Sequence, residues 1–184
     1  MIRCVAVMLN ERNEKCATAY LSQESHGKPL SIDLTIKKDV LPELFGEYKE
    51  LGDTIVHRGL HIHQAGDSTR GCASAGPHFN PHNTTHGGLT ESDNTKGRHA
   101  GDFGNIAFNA AQASYDSDFQ CQIVDENPVA SLDHRTDCSV IGRSLVLHAA
   151  RDDLGLGEGA KQEESLKTGN AGARYCCGVI ALCL

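Results

Sequence analysis

The sequence predicts an all-β fold, and three observations lead to this prediction. Residues 30–36 (LSIDLTI) alternate between apolar and polar side chains without interruption, and residues 118–124 (DFQCQIV) alternate in the same way. In a β-strand such alternation buries one face and leaves the other face in water. The chain also contains 19 glycines, which fits the many turns of an all-β protein.

Six further apolar segments of β-type composition complete a set of eight predicted strands. They lie at residues 4–9, 16–21, 55–63, 103–108, 144–148 and 177–182. No internal repeat or domain linker separates them. A chain of 184 residues is normally one domain and can bury a real core, so we expect a single domain over 1–184.

Residues 37–53 interrupt the strands and predict a short helix over 42–51. Pro42 suits a first helical turn and Gly52 a C-terminal stop, whereas Gly46 weakens the helix. We expect the apolar stripe to pack on the outer surface of the sandwich. Its members follow helical spacing: Leu41, Leu44, Phe45, Tyr48 and Leu51.

Two further long segments, 66–102 and 151–173, are rich in glycine and lack strand periodicity. Long loops without regular structure in a compact domain are usually functional or disordered. The first carries four side chains that commonly bind metals, so function is the better interpretation there.

Composition also disfavours two classes of partner. The net charge of −7 offers no basic patch for nucleic acid. No apolar run approaches ~18 residues, so we expect no membrane span. Residues 1–9 are too short an apolar stretch for a signal peptide and predict a first strand. A cytoplasmic protein is expected, or an extracellular one if a signal peptide has been trimmed from this chain.

Seven side chains form a candidate metal centre. Seven ligands are too many for one four-coordinate ion but suit two ions that share a ligand. Imidazole suits copper and zinc, and zinc also accepts a carboxylate. A redox-active copper beside a closed zinc site is the leading interpretation. An isolated His-Ile-His sequence is a pair of surface histidines about as often as it is a metal-binding pair. His57 and His82 are interpreted as solvated histidines. The seven are His61, His63, His78, His86, His99, Asp102 and His148.

Eight cysteines allow 105 pairings if all are oxidised. Because histidine already supplies the metal ligands, we expect one specific disulfide and several buried thiols that behave as small hydrophobic residues.

The chain resembles the copper/zinc superoxide dismutases over nearly its whole length. The resemblance rests on several long motifs in a fixed order: GLHIH (59–63), ASAGPHFNP (73–81), HGG (86–88), RHAGDFGN (98–105), IGRSLVLH (141–148), DDLG (152–155), KTGNAGAR (167–174) and CGVI (177–180).

The resemblance implies an eight-stranded Greek-key β-sandwich or barrel with long metal-binding and electrostatic loops. It also implies copper bound by His61, His63, His78 and His148, and zinc bound by His78, His86, His99 and Asp102. His78 would bridge the two ions. The implied activity is that of an antioxidant oxidoreductase that converts two superoxide anions to dioxygen and hydrogen peroxide.

Further roles follow from the same resemblance. Asp152 would link His61 and His86, Arg174 would guide the anion beside copper, and a disulfide would join Cys72 to Cys177. A homodimer is implied, with contacts from the C-terminal strand, Ile141-Gly142 and the 66–69 turn.

Two other functions use the same fold. A copper-delivery module would commonly lose copper ligands and carry a CxxC motif, but this chain keeps all four ligands and has no CxxC. A zinc-stabilised binding protein would have a vestigial copper site, and the intact ligands and Arg174 disfavour it.

Overall fold

The structure is a computed structural model and describes residues 1–46, 54–89, 97–109 and 115–183. Within these ranges the chain forms ten β-strands. They are β1 (Ile2–Leu9), β2 (Lys15–Gln23), β3 (Leu30–Ile36), β4 (Ile55–His63), β5 (Thr69–Cys72), β6 (Asp102–Asn109), β7 (Phe119–Asp125), β8 (Ser144–His148), β9 (Arg174–Val179) and β10 (Ala181–Leu182).

Eight strands form one antiparallel sheet in the order β6-β4-β8-β9-β1-β2-β3-β7, and β10 pairs with β1. The sheet curls into a nearly closed barrel, because its two edge strands meet through the rings of Phe108 and Phe119, whose centroids lie 5.3 Å apart. Crossover connections make neighbours of strands that are distant in sequence, as in the pairs β4/β8, β9/β1 and β3/β7. The predicted all-β, Greek-key fold is confirmed.

The predicted strands are observed with small shifts at their ends. β3 shows the alternation that predicted it, since every second residue from Leu30 to Ile36 is buried. The segment predicted at 177–182 is divided, because Ile180 leaves the ladder and exchanges backbone hydrogen bonds with Gly142 and Arg143. The short strand β5, inside the long loop 66–102, carries no apolar pattern and was missed.

The segment 37–46 differs from its prediction. A 3-10 helix at Lys38–Val40 leads into helix α1 (Leu41–Phe45), which ends at Gly46 rather than near Leu51. Gly46 has a positive φ of 96°, a conformation that suits glycine and stops a helix. Residues 47–53, with Tyr48, Leu51 and Gly52, lie outside the described residues.

Helix α1 packs into the core and not on the outer surface of the sandwich. Leu41, Leu44 and Phe45 are buried, and the ring of Phe45 stacks on Phe108 with centroids 4.4 Å apart. The same ring contacts Phe119 edge-on at 5.9 Å. Phe45 therefore fills the gap where the edge strands β6 and β7 meet, which accounts for its burial.

A second helix, α2 (Gln162–Thr168), lies in the segment 151–173, for which no helix was predicted. Glu163 and Lys167 form an i,i+4 ion pair of 2.7 Å on its exposed face. Gly169 ends the helix in the left-handed conformation, with φ of 65°. In the described part of the chain, no helix is both long enough and apolar enough to cross a membrane.

Candidate metal centre

Four histidines converge where strands β4 and β8 meet the loop that follows β5. His61 and His63 alternate along β4, as predicted, and His148 ends β8. His78 is brought to them by an isolated bridge between its backbone and that of His63. One ligand nitrogen from each of the four rings lies within 4.8 Å of the other three, and all four residues are buried. We call this group the four-histidine cluster.

A second group shares His78 with the first. Its ligand atoms from His78, His86, His99 and Asp102 also lie within 4.8 Å of one another. Asp102 begins β6 and pairs in register with His61 of β4. Its Oδ1 lies 2.9 Å from Nδ1 of His78, and its Oδ2 lies 3.0 Å from Nδ1 of His86. We call this group the three-histidine/aspartate cluster.

Hydrogen bonds set the tautomers of His63 and His148. Nδ1 of His63 donates to the carbonyl of Gly76 at 2.7 Å, and Nδ1 of His148 donates to the carbonyl of Gly172 at 3.1 Å. Since a carbonyl can only accept, each neutral ring presents a bare Nε2, and these two atoms lie 3.3 Å apart. Two lone pairs that face each other in a buried site suit a cation between them.

Asp152 orients one ring from each cluster. Its Oδ2 accepts from Nε2 of His61 at 2.7 Å, and its Oδ1 accepts from Nε2 of His86 at 2.8 Å. Both rings therefore direct Nδ1 towards their own cluster, an arrangement that raises ligand basicity. Gly169 makes the close approach possible, because a Cβ there would overlap both Asp152 and His86.

His78 faces both clusters. Its Nδ1 points to Asp102, while its buried Nε2 and the buried Nδ1 of His61 find no hydrogen-bond partner among the described residues. The two rings lie 4.2 Å apart between centroids. Unpaired buried ring nitrogens are costly unless a metal takes them. The donor sets therefore fit two ions, an all-imidazole set suited to copper and an imidazole/carboxylate set suited to zinc.

Electrostatics keep most of the four-histidine cluster neutral, the form that binds metals. Burial is the main cause, and neighbouring rings add to it: together they lower the pKa of His63 to about 2, of His148 to about 3 and of His78 to about 4. For His86, burial opposes protonation, but the carboxylates of Asp102 and Asp152 prevail and raise the pKa to about 10. In the metal-free state, a protonated His86 supplies the positive charge that a metal ion would supply beside Asp102.

A cavity of about 280 Å³ opens onto the four-histidine cluster. Its wall includes Arg174 from β9, and Glu164 and Thr168 from helix α2. The Arg174 guanidinium donates to the carbonyls of Cys72 at 2.6 Å and Gly76 at 2.5 Å. Cys72 is in turn joined to Cys177 by a disulfide, as predicted. This cavity is the candidate active site.

The seven predicted ligands, Asp152 and Arg174 therefore come together in one region. His57 belongs to neither cluster, and His82 is exposed and lies 3.5 Å from the sulfur of Cys138 rather than near a metal site. Sequence reasoning missed the carbonyl of Gly76 and the place of Thr168 in the cavity wall. Backbone carbonyls carry no sequence signal, and Thr168 would have needed the prediction of helix α2.

The family comparison agrees with this geometry. The family model described as copper/zinc superoxide dismutase matches residues 17–180 of the chain. The chain belongs to the copper/zinc superoxide dismutase family. The predicted family, the oxidoreductase activity of a superoxide dismutase and the copper and zinc cofactors are confirmed, and the two clusters are able to hold both metals.

Named relatives support the same assignment. The chain is 49% identical to "Superoxide dismutase [Cu-Zn]" of Onchocerca volvulus over 79% of this chain and 83% of the relative. It is 43% identical to the protein of the same name from Cryptococcus neoformans over 99% of both chains. "Extracellular superoxide dismutase [Cu-Zn]" of Brugia pahangi is 50% identical over 74% of this chain and 61% of the relative.

Proposed function

We propose that this protein dismutates superoxide at the four-histidine cluster. The observation that carries the proposal is the sharing of His78 by two buried donor sets of different chemistry. His61, His63, His78 and His148 would hold copper, and His78, His86, His99 and Asp102 would hold zinc. When bound, copper supplies the one-electron chemistry that converts one superoxide to dioxygen and a second to hydrogen peroxide, while zinc supplies a fixed charge.

Arg174 is the residue proposed to receive the anion. Both terminal nitrogens of Arg174 donate to backbone carbonyls, one to Cys72 and Ala73 and the other to Gly76. This leaves Nε–H and one further N–H for a ligand in the cavity. These donors are fixed in direction, since three carbonyls hold the guanidinium. A planar cation with preset donors suits a diatomic anion better than a mobile lysine would.

His78 is proposed to handle a proton. Its Nδ1 is engaged with Asp102, so only Nε2 is available on the side of the candidate active site. Nε2 is also the atom that would bind copper, so it would carry a proton only when it is not bound to the metal. Because His78 lies in the wall of the candidate active site, an N–H at Nε2 would face the anion, and peroxide formation consumes protons.

Metal analysis combined with a superoxide assay tests this function. We expect one copper and one zinc per chain in the fully loaded protein, together with dismutase activity. His63→Ala removes a residue of the four-histidine cluster alone and should abolish activity while zinc is retained. A second zinc in place of copper, under copper-replete conditions, would contradict the proposal.

The geometry disfavours both alternatives. A copper-delivery module needs ligands that release the ion readily, whereas His61 and His63 lie on a rigid strand and are oriented by Asp152 and Gly76. A zinc-stabilised binding protein would not need a cavity that ends at the four-histidine cluster. Chains that bind zinc alone and lack activity would favour the second alternative.

A homodimer is the assembly we propose. The predicted contact segments do come together, because a Cβ at Gly66 would lie 3.2 Å from Cγ1 of Val179 and would also meet the backbone of Gly142. Around them the surface is apolar, with Val7, Val179 and Leu182 exposed by 48%, 37% and 52%. Sedimentation at micromolar concentration should give a dimer, and Leu182→Asp should shift it to monomer. A clean monomer of the unmutated protein would refute the dimer.

We also propose one domain over 1–184 and a cytoplasmic location. Six of the eight cysteines are thiols, namely Cys4, Cys16, Cys121, Cys138, Cys176 and Cys183. Thiols persist in reducing compartments, whereas small secreted proteins commonly pair theirs. Fractionation of the producing cells tests the location, and recovery of the protein outside the cell would contradict it.

A further inference from the structure

Two of the six thiols meet inside the barrel. Cys16 lies in β2 and Cys176 in β9, and both are 0% exposed. Strand β1 lies between these two strands, but it ends at Leu9, which pairs with Lys15 on one side and with Cys177 on the other. A register shift beside Leu9 leaves Cys16 as an extra residue in β2. Such a bulge redirects a side chain, and here it brings Cys16 to Cys176.

Electrostatics distinguish the two sulfurs. The Cys16 thiol donates to the carbonyl of Glu14 at 3.4 Å. Interaction with the Cys176 thiol lowers the pKa of Cys16, whereas the same interaction, together with burial, raises the pKa of Cys176 well above its ordinary value. Cys16 is therefore the better nucleophile of the pair.

A second cavity, of about 260 Å³, lies near these thiols, although neither Cys16 nor Cys176 lines it. Its wall includes Asn10, whose backbone lies close to Cys16, and Tyr175, which precedes Cys176. Arg174 lines this cavity and also the candidate active site. A small neutral molecule released from the four-histidine cluster thus has an open space on the other side of Arg174, from which a movement of Asn10 or Tyr175 would give it access to the buried thiols.

We propose that Cys16 and Cys176 form a second redox couple, which hydrogen peroxide oxidises to a disulfide. The oxidant is the product of the proposed dismutation, so the inference rests on that function for its source of peroxide. This pair is separate from the Cys72–Cys177 disulfide, because Cys176 and Cys177 are adjacent in β9 and face opposite sides of the strand.

The chemistry balances with peroxide alone. The Cys16 thiolate attacks one peroxide oxygen, the O–O bond breaks, and the departing hydroxide takes the thiol proton to form water. The resulting sulfenic acid is attacked by the sulfur of Cys176, so that the S–S bond forms and a second water leaves. Two thiols lose two electrons and peroxide gains them. The product is uncharged, which suits an apolar interior.

Oxidation would also reach the candidate active site. An S–S bond of ~2.05 Å is shorter than a thiol hydrogen bond, so it draws β2 and β9 together near Leu9. Arg174 begins β9 two residues before Cys176. A displaced β9 would move the Arg174 guanidinium without moving a metal ligand. Hydrogen peroxide would thereby reduce anion binding at the site that produces it.

Peptide mapping of the metal-loaded protein tests the couple directly. The protein is treated with hydrogen peroxide, denatured and alkylated without reduction. We expect the alkylatable thiols to fall from six to four, with a cross-linked peptide that contains Cys16 and Cys176 beside the existing Cys72–Cys177 peptide. Full alkylation of both thiols after treatment, with the protein still folded, would overturn the proposal.

Matched variants distinguish oxidation of the Cys16–Cys176 pair from general oxidation of the cysteines. Cys16→Ser and Cys176→Ser should each lose the cross-link, whereas Cys121→Ser, which removes a partly buried thiol elsewhere, should retain it. If both core variants fail to fold, the mapping of the unmutated protein still decides. Cross-linking of Cys176 to any cysteine other than Cys16 would overturn the assignment.

The source of the oxidant is tested separately. With superoxide generated in the solution, the loaded protein should form the cross-link, and catalase should prevent it. A cross-link that catalase does not affect would overturn the role of peroxide. A protein that forms the cross-link with added peroxide but has no dismutase activity would refute the proposed function and leave the thiol couple intact.

Discussion

His63 and Arg174 share one acceptor, the carbonyl oxygen of Gly76. Nδ1 of His63 lies 2.7 Å from this oxygen and a terminal nitrogen of Arg174 lies 2.5 Å from it. One backbone group thus sets the ring orientation of a proposed copper ligand and the position of the cation proposed to receive the anion. The loop that supplies it is tied to β9 by the Cys72–Cys177 disulfide.

Arg174→Glu should reduce dismutase activity far more than metal content. The substitution reverses a charge in the cavity wall and removes no ligand, so we expect a loss of roughly 10- to 1,000-fold in the rate of superoxide capture. Activity assays paired with elemental analysis measure the two effects separately.

Salt dependence provides the control for Arg174. The unmutated protein should be faster at low ionic strength than at high, because at ~0.1 M salt screening limits the field to ~10 Å, and Arg174→Glu should lose this dependence. Equal activity of the two proteins would show that Arg174 does not receive the anion.

Asp152→Asn should weaken both metal sites at once. An amide can accept from only one of the two rings, and its NH2 group would face the N–H of the other. We expect metal affinity to fall by about 10- to 100-fold, measured by competition with a chelator. Asp153→Asn is a matched control, since Asp153 bonds to Ser165 and not to a ligand ring. Unchanged affinity in Asp152→Asn would mean that His61 and His86 are oriented by other groups.

Loss of the disulfide should lower both stability and activity. Cys72 and Cys177 are 105 residues apart, and on the chain-entropy model a loop of this size contributes about 4.7 kcal/mol. Cys177→Ser should therefore unfold at a lower urea concentration. It should also reduce activity, because the carbonyl of Cys72 is one anchor of Arg174.

Cys121→Ser, which removes an unpaired thiol, is the comparison for the disulfide variant. We expect it to retain both the urea midpoint and the activity of the unmutated protein. If Cys177→Ser kept full activity despite lower stability, the anchoring role of Cys72 would be wrong.

The metal-free protein should lose stability as the pH falls below about 6.5. In the unfolded chain histidines titrate near 6.5, whereas burial lowers the folded-state pKa of His63 to about 2, of His148 to about 3 and of His78 to about 4. Below pH 6.5 the unfolded state thus binds protons that the folded state does not bind. The free energy of unfolding should fall by up to about 4 kcal/mol per pH unit, the value for three protons.

His86 contributes with the opposite sign. Its folded-state pKa is raised to about 10, so its stabilisation is present below 6.5 and is lost as the pH rises towards 10. Urea unfolding of the metal-free protein should therefore show a maximum near pH 6.5. His26→Gln, at an exposed site, should leave the acid slope unchanged. A flat profile between pH 4.5 and 6.5 would contradict the burial of neutral histidines.

The local pattern of residues was enough to predict most of the strands. The uninterrupted alternation in β3 is a direct consequence of one buried and one wet face, and it was predicted with the correct limits. The stripe around Phe45 likewise predicted helix α1, and Pro42 marked its start. The helix ends at Gly46, a residue that was expected only to weaken it. Its burial depended on the contacts of Phe45 with Phe108 and Phe119, which are distant in sequence.

Residue types and the fixed order of the motifs were enough to identify the side chains that can bind metals, because ligand chemistry belongs to residue type. The orientation of these side chains became visible only in the folded chain. The carbonyls of Gly76 and Gly172 select the tautomers of His63 and His148, and Asp152 reaches His61 and His86 only because Gly169 has no side chain. The contact between Cys16 and Cys176 depends on a bulge and on the end of β1. Such relationships join residues that are far apart along the chain, so no local pattern encodes them.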